Sequence, residues 1–283
     1  MLEAIIWYLK RSPVPYGKSI IYKIFKEQLL AHGPVWCTYD DNIAFSANLN
    51  DRIQRQTCFY GVYRTERRHK AFMRSCIKPG DTIIDVGAHV GYYTLFFAKS
   101  VGNSGRVVSF EPNPNNRNIL KSNIERNGFN NVELRPEVAS DREGEVELYM
   151  PDDENTGNGT LYASDAATQG TITVHSVSTG SLLLELGIDT LDLIKIDVEG
   201  HEVSVLQGLS NYLSQEPESA PGILVEVNEY TLNNAGKTPK DVFTIMSSFG
   251  YSAYRIDENG KPDLHNDPFT DSLVYFSKQP LTD

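Results

Sequence analysis

Two acidic residues stand at the ends of consecutive predicted β-strands, and a turn with two glycines follows the first of them. Asp85 lies near the end of the strand Thr82–Val86, before Gly87-Ala88-His89-Val90-Gly91, and Glu111 follows the strand Arg106–Phe110. Ligands of open α/β sheets bind at the carboxyl ends of strands. Both glycines would let the backbone approach such a ligand closely, because they carry no Cβ. We therefore predict a nucleotide-type pocket at this turn.

The residues of this turn narrow the class of ligand. The turn lacks the central glycine of the Gly-x-Gly-x-x-Gly dinucleotide fingerprint and the Gly-Lys-Ser/Thr of a Walker loop. The Asp85 carboxylate would repel phosphate but attract a cation, and S-adenosylmethionine carries an ammonium and a sulfonium and no phosphate. Glu111 can accept hydrogen bonds from both ribose hydroxyls, which NAD also has. The sequence thus favours S-adenosylmethionine, with an NAD-dependent oxidoreductase and a noncatalytic binding or scaffold domain as alternatives.

A second acidic cluster follows the fourth predicted parallel strand, Leu191–Ile196. Lys195 lies within that strand, and Asp197, Glu199 and Glu202 come after it. The first and fourth strands are neighbours in the usual order of such sheets, so this turn should face the substrate beside the cofactor. Charged side chains at the end of an apolar strand are costly unless they are paired or functional. We predict Asp197 and Glu199 as site residues. Lys195 is either an ion-pair partner or a site residue, and Glu202 either joins the site or supports the first turn of the next helix.

Together these motifs resemble the FkbM-type S-adenosylmethionine-dependent methyltransferases. The segments that carry the resemblance are Asp85–Gly91, Phe110–Asn113, Lys195–Glu202 and Leu224–Val227, with Gly61–Glu66 and Pro79–Asp81 upstream. The resemblance covers about residues 60–256. It implies a seven-stranded, mostly parallel Rossmann-like sheet with helices on both faces and a reversed last strand. It also implies O-methylation of a hydroxyl on a sugar, polyketide or related natural product, either as a small molecule or tethered to a carrier.

The resemblance and the residues together define a predicted cofactor site. The predicted contacts with S-adenosylmethionine are Tyr63, Asp85, Gly87, Ala88, His89, Gly91, Glu111, Pro112, Asn113, Ala139 and Asp197. Within this set, we expect His89 to be a position dictated by the backbone of the turn and not a catalyst.

The acceptor side requires a base, because methyl transfer is an in-line displacement and a protonated alcohol is a poor nucleophile. Asp197 or Glu199 would take the proton. Glu226, at the next strand end, would complete an acidic wall, and His201 is an alternative base. We predict no metal in this site. A metal-assisted variant stays open, since Asp197, Glu226 and Asn228 offer oxygen ligands suited to Mg²⁺ or Ca²⁺.

The order of strand and helix signals divides the chain into an extension and a larger domain. We predict a mainly helical or irregular extension over residues 1–78 and an α/β domain over residues 79–283, with an inserted hairpin and loop over residues 143–179. The loop would form a lid or rim near the substrate. In the extension the predicted helices are Leu2–Arg11, Ser19–Leu30 and Glu66–Ile77, with short strands or loops between Trp36 and Tyr63. Helices in the domain are predicted over Tyr92–Ser100, Pro114–Asn127, Ser181–Leu186, His201–Leu213 and Pro239–Phe249.

The composition limits the partners and the compartment. The 283 residues include 26 basic and 37 acidic side chains, a formal net charge of −11, which argues against a nucleic-acid partner. Cys37, Cys58 and Cys76 fit neither a disulfide framework nor a zinc site, so we predict reduced thiols and a cytoplasmic protein. No apolar run is long enough to cross a bilayer, and the basic residues of Leu2–Arg11 follow its apolar part, the reverse of a secretory signal. We expect that helix to pack in the core or to form a homodimer contact, in preference to docking on a membrane surface.

Overall fold

The computed structural model describes residues 1–12, 14, 16–40, 42–63, 66–151, 157, 159–163, 168–265, 268 and 273–281. Arg64 and Thr65 of the upstream motif, and much of the loop between the two strands of the insertion, lie outside the described residues. Within the described part the three cysteines are free thiols. No described helix is both long enough and apolar enough to cross a lipid bilayer.

Within the first 78 residues, the described part contains five helices and one β-hairpin. The elements are α1 (Leu2–Arg11), α2 (Lys18–Ile24), α3 (Lys26–His32), β1 (Val35–Tyr39), β2 (Ile43–Ala47), α4 (Arg52–Tyr60) and α5 (Arg67–Cys76). The helix predicted over Ser19–Leu30 is interrupted at Phe25, whose φ of −109° and ψ of 18° are not helical. The segment predicted as strands or loops holds the β1–β2 hairpin and also α4, which the sequence analysis missed. Helix α4 buries the polar residues Gln54 and Thr57 beside Cys58 and Phe59, which weakens the apolar periodicity of its inward face.

The remaining strands form a large sheet and a small one. They are β3 (Thr82–Val86), β4 (Arg106–Phe110), β5 (Val132–Arg135), β6 (Val138–Ser140), β7 (Gly144–Pro151), β8 (Thr168–Ser178), β9 (Leu193–Ile196), β10 (Gly222–Val225), β11 (Ser252–Ile256), β12 (Pro262–Leu264) and β13 (Val274–Ser277). The large sheet has the order β12-β11-β13-β10-β9-β3-β4-β5, and the small sheet has the order β6-β8-β7. The antiparallel pair β7–β8 is the hairpin of the predicted insertion.

Pairing within the large sheet confirms the predicted fold class. Strands β10, β9, β3, β4 and β5 pair in parallel, and β13 runs antiparallel to both β10 and β11. The seven predicted strands are present, and the short β12 adds an eighth at the edge. Strand β3 lies beside β9 with Asp85 opposite Lys195. The two acidic clusters therefore meet at one edge of the sheet, as the usual strand order predicts.

Helices cover both faces of this sheet. They are α6 (Thr94–Val101), α7 (Pro114–Asn127), α8 (Thr179–Glu185), α9 (Glu202–Gly208), α10 (Ser210–Leu213), α11 (Glu229–Asn234) and α12 (Pro239–Ser248). Alternate residues of β3 point to opposite faces, with Ile83 in one buried cluster and Ile84 in the other. The first cluster also holds Leu9 and Phe45 from the N-terminal region, so that region shares a core with the sheet. The predicted domain boundary between residues 78 and 79 stays a prediction.

Candidate active site

A cavity of about 530 Å³ opens at the carboxyl ends of β3, β4, β9 and β10. This volume lies in the range of small-molecule and cofactor sites. Its wall combines backbone of the glycine turn, aromatic rings and a group of acidic side chains. The crevice stands where the strand order reverses between β3 and β9, which is the expected ligand site of such sheets.

The two glycines of the turn are needed for packing within the protein. Gly87 has a φ of +80°, and a Cβ at this position would lie 1.8 Å from the carbonyl oxygen of Asp197. Gly91 has a φ of +101°, and a Cβ there would lie 2.5 Å from Cδ1 of Leu120. Gly87 lines the cavity, whereas Gly91 does not. The expectation that both glycines admit a ligand is thus corrected for Gly91, whose missing Cβ makes room for a side chain of α7.

Asp85 occupies a different position from the one expected of it. Its side chain is fully buried and does not line the cavity. The Oδ2 atom accepts a hydrogen bond of 2.6 Å from the hydroxyl of Thr94, and Oδ1 lies 3.7 Å from Nζ of Lys195. Burial raises the pKa of Asp85, and Lys195 and Thr94 oppose that rise. The carboxylate therefore supports the neighbouring strand instead of facing the ligand directly.

Glu111 lines the cavity with both carboxylate oxygens held by backbone. Oε2 accepts a hydrogen bond of 2.7 Å from the N–H of His89, and Oε1 accepts one of 2.9 Å from the N–H of Asn113. Burial raises the pKa of Glu111 to about 7, and these two N–H donors act against it. Fixed in this way, the carboxylate keeps free lone pairs for a ligand hydroxyl.

Most of the other predicted cofactor residues also reach the cavity wall. The residues that do so are Tyr63, Ala88, His89, Pro112, Asn113, Ala139 and Asp197. The sequence analysis missed Arg52 and Ile53, which line the cavity from the start of α4. It also missed Tyr93, whose hydroxyl donates a 2.7 Å hydrogen bond to Glu66. Asp51, with Gln54 three residues later, and Gly61 are the start and stop signals of α4, and the sequence analysis did not use them.

Lys195 is an ion-pair partner of the acidic cluster and also lines the cavity, so the two roles left open by the sequence do not exclude each other. Its side chain is 3% exposed, and Nζ lies 3.1 Å from Oδ2 of Asp197. The same ammonium donates a 3.1 Å hydrogen bond to the carbonyl of Gly87. Burial alone would lower the pKa of Lys195, but the carboxylates of Asp197 and Asp85 outweigh burial and raise it. Lys195 thus joins the β9 end to the glycine turn.

Three acidic side chains converge beside this lysine. Single carboxylate oxygens of Asp197, Glu199 and Glu226 all lie within 4.8 Å of one another. Burial, followed by the nearby Asp197 carboxylate, raises the pKa of Glu199 to about 8 and that of Glu226 well above its ordinary value. Oε2 of Glu226 is buried without a hydrogen-bond partner among the described residues. The cluster can therefore retain protons near neutral pH, or it can bind a divalent cation through oxygen ligands.

The metal-assisted variant considered Asn228 as the third ligand, but the structure groups Glu199 with Asp197 and Glu226. Oδ1 of Asn228 accepts a 3.0 Å hydrogen bond from the N–H of Tyr230 and caps α11. Glu199 takes its place beside Asp197 and Glu226. The sequence analysis missed α11, so it did not anticipate this use of the amide.

His201 is held by two hydroxyl groups. Its Nδ1 lies 2.8 Å from the hydroxyl of Tyr162, and its Nε2 lies 2.9 Å from the hydroxyl of Ser140. Burial lowers the pKa of His201 to about 4, so the ring is neutral at pH 7. With both nitrogens occupied, His201 is suited to positioning Tyr162 more than to accepting a proton. Tyr162 belongs to the insertion, which also contributes Thr160 to the cavity wall.

Glu202 supports the turn that precedes α9. Its Oε1 accepts hydrogen bonds of 3.1 Å and 3.2 Å from the N–H groups of Val198 and Gly200. The side chain is 1% exposed and does not line the cavity. Of the two roles left open for Glu202, the structure thus shows the contact with the helix start.

Comparison with known proteins identifies the family to which this chain belongs. The family model described as "Methyltransferase FkbM domain" matches residues 85–253, which is more than half of the chain. The chain belongs to the FkbM family of methyltransferases. The predicted family is therefore confirmed, and with it S-adenosylmethionine as the cofactor.

Curated relatives match over part of their length. A hexuronic acid methyltransferase, AglP, from Haloferax volcanii is 31% identical over 59% of this chain and 62% of that protein. "Methyltransferase 1" from Beauveria bassiana is 27% identical over 47% of this chain and 60% of that protein. The chain thus spans less than two thirds of the length of either relative. The crystal structure of an FkbM methyltransferase from Methylobacillus flagellatus aligns with 93% of this chain and 60% of that one, at 18% identity and a TM-score of 0.46.

Proposed function

We propose that this protein is an S-adenosylmethionine-dependent O-methyltransferase that acts on a hydroxyl of a sugar or related natural product. The observation that carries the proposal is the position of Asp197. This carboxylate lines the cavity, pairs with Lys195 and shares the sheet edge with Glu111. A methyl donor held by Glu111 and the glycine turn would leave its acceptor beside the acidic cluster.

Asp197 is the base in this proposal, because its carboxylate lines the cavity and lies 3.1 Å from the Lys195 ammonium. The acceptor hydroxyl gives its proton to Asp197 as its oxygen forms a bond with the methyl carbon. The carbon–sulfur bond breaks at the same time, and S-adenosylhomocysteine leaves with the electron pair. Glu199 and Glu226, with their raised pKa values, act as neutral hydrogen-bond donors that orient the acceptor.

A neutral glycoside fits this acidic wall better than an anionic acceptor. The chain carries a formal net charge of −11, which disfavours a strongly anionic sugar, and a neutral hydroxyl is enough to accept hydrogen bonds from Glu199 and Glu226. The Haloferax relative is named for a hexuronic acid, and the sugar part of such an acceptor is the feature we carry over. The proposal also includes a carrier-tethered acceptor as an alternative to a small molecule, and a cytoplasmic location, as predicted from the sequence.

The test is methyl transfer to a panel of acceptors, followed by mass spectrometry. A hydroxylated acceptor should gain about 14 Da, one CH₂, in the presence of S-adenosylmethionine. The panel pairs each neutral glycoside with the matching hexuronic acid, so that acceptor charge is compared at constant ring structure. Hydroxylated polyketides are tested beside these pairs. Exclusive transfer to the carboxyl group of the acids would contradict transfer to a hydroxyl.

Two controls separate this proposal from the alternatives. A noncatalytic domain would show a rise in melting temperature with S-adenosylhomocysteine but no product with any acceptor. An oxidoreductase would bind NAD in calorimetric titration in preference to S-adenosylhomocysteine. Family membership and the missing central glycine of the turn both disfavour that second alternative.

A further inference from the structure

Large exposed apolar side chains concentrate at the beginning of the chain. Ten such side chains are exposed among the residues that the structure describes, and six of them lie within residues 1–24. These six, which we call the N-terminal apolar surface, are Met1, Trp7, Val14, Tyr16, Ile20 and Ile24. Exposed apolar side chains that are grouped indicate an interaction site, whereas single scattered ones are normal on protein surfaces.

The surface rests on a fixed support. Ile6 and Leu9 of α1 are buried in the core, while Trp7 between them is 64% exposed. Ile20 and Ile24 lie one helical turn apart on α2 and are 63% and 65% exposed. The hydroxyl of Tyr8 donates a 3.3 Å hydrogen bond to the carbonyl of Tyr16, which ties α1 to the segment before α2. The apolar side chains are thus presented by packed helices.

The N-terminal segment carries a net positive charge although the protein is acidic, and its two acids, Glu3 and Glu27, are exposed beside its bases. Residues 1–32 carry five basic and two acidic side chains, whereas the rest of the chain carries 21 basic and 35 acidic ones. Arg11 and Lys23 are exposed, and Lys10 and Lys26 are half-buried. Lys18 is the exception, because its Nζ points inward and donates to the carbonyl of Phe59.

The charge decides which occupant fits. A second copy of the chain joined by a two-fold axis would bring this basic surface against itself, and like charges would face each other. An anionic lipid surface matches both properties, since apolar side chains enter the acyl boundary while Lys and Arg meet the headgroup phosphates. Helix α1 packs in the core through Ile6 and Leu9, as the sequence predicts, but for its exposed side we depart from the predicted homodimer contact. We propose that the N-terminal apolar surface docks this protein onto anionic lipid membranes.

The first experiment measures binding of the full chain to vesicles. Vesicles of phosphatidylcholine are compared with vesicles that contain about 30% phosphatidylserine, by co-sedimentation at about 0.1 M salt. We expect at least tenfold stronger binding to the anionic vesicles, and release as the salt concentration rises. In a Trp36→Phe background Trp7 is the sole tryptophan, because the chain has two. Its fluorescence should shift to shorter wavelength on anionic vesicles.

Two variants and a matched control identify the surface. The triple variant Trp7→Ser, Ile20→Ser, Ile24→Ser removes apolar area, and Arg11→Glu with Lys23→Glu reverses the charge. Each should weaken binding to anionic vesicles at least tenfold, since one basic side chain near such a surface contributes about fivefold. The control, Leu184→Ser with Leu264→Ser, removes two exposed leucines from other parts of the chain and should bind as the parent does.

The outcomes decide between lipid and protein partners. Equal binding to neutral and anionic vesicles, or no binding to either, overturns the proposal. A dimer in analytical ultracentrifugation that the triple variant converts to monomer also overturns it in favour of a second copy. Affinity for S-adenosylhomocysteine, measured on every variant, shows that each is folded and is independent of the proposed methyl transfer.

Discussion

Two groups of carboxylates occupy the same edge of the large sheet, and their surroundings give them different properties. Asp85 and Glu111 each accept hydrogen bonds from fixed donors, a hydroxyl in one case and two backbone N–H groups in the other. The carboxylate of Asp197 pairs with the ammonium of Lys195, which also lies 3.7 Å from Asp85, and Glu199 and Glu226 lie beside Asp197. Residue type and position at a strand end are the same in both groups. Backbone donors hold both oxygens of Glu111, whereas Oδ1 of Asp85 and Oε2 of Glu226 have no hydrogen-bond partner among the described residues. Of these two, only Glu226 lines the cavity, beside the Asp197 that we propose as the base.

The sharpest test of this difference is Asp197→Asn. The amide cannot take a proton, so turnover should fall by about 10²- to 10⁴-fold. The rise in melting temperature with S-adenosylhomocysteine should persist, because Glu111 and the glycine turn still hold the cofactor. Glu229→Gln, an exposed acid at the start of α11, is the matched control and should keep full turnover. Unchanged turnover in Asp197→Asn would remove it from the mechanism.

The contact between the two groups depends on Gly87. In Gly87→Ala the new Cβ would lie 1.8 Å from the carbonyl oxygen of Asp197, so the turn and the β9 end must separate. We expect the free energy of unfolding to fall by about 3 kcal/mol or more in chemical denaturation. Gly236→Ala also has a positive φ, but no atom lies within 4 Å of its Cβ. That control should lose about 1 kcal/mol; equal losses would show that backbone strain alone governs both sites.

The two members of the first group should themselves behave differently. Glu111→Gln exchanges one acceptor oxygen for a donor on the cavity wall, so the Kd for S-adenosylhomocysteine should rise about tenfold in calorimetry. Asp85→Asn should lower the free energy of unfolding by about 1–3 kcal/mol and change that Kd by less than about threefold, because Asp85 does not reach the cavity. If Asp85→Asn weakens binding as strongly as Glu111→Gln, the Asp85 charge acts on the ligand after all.

The second group should make stability depend on pH. Burial and then Asp197 raise the pKa of Glu199 from 4.5 to about 8, so between these values the folded protein keeps a proton that the unfolded chain releases. This contribution is fully present below about pH 4.5 and is lost as pH rises through about 8. The melting temperature should therefore fall from pH 6 to pH 8.5, less steeply in Glu199→Gln. A melting temperature that rises over this range would contradict the buried, protonated state.

Removing divalent metal should have the smallest effect. Lys195 already places a positive charge 3.1 Å from Asp197, so we expect turnover to survive EDTA. Activity that disappears with the chelator and returns with Mg²⁺ would show that the three grouped carboxylates hold a metal instead.

The predicted site agrees with the structure where residues follow strands directly. Asp197, Glu199, Glu226 and Glu111 reach the cavity because strand alternation and the order of parallel sheets fix where the carboxyl ends meet. The predicted position of Asp85 in the cavity wall was wrong, because the sequence shows that a residue lies near the end of a strand but not which side chain pairs with it. Lys195 lies 110 residues away in the chain and opposite Asp85 only through sheet register.

The sequence alone determined the family, the α/β alternation and the residues at the strand ends, because these depend on local periodicity and short motifs. Tertiary structure alone decided which acids are satisfied, since hydrogen-bond donors such as the Thr94 hydroxyl and the His89 N–H come from other segments. It also placed α4 at the site, a helix whose buried face mixes polar and apolar residues and therefore gives only a weak apolar pattern. Burial and pairing depend on contacts between distant segments, and these contacts form only when the sheet is assembled.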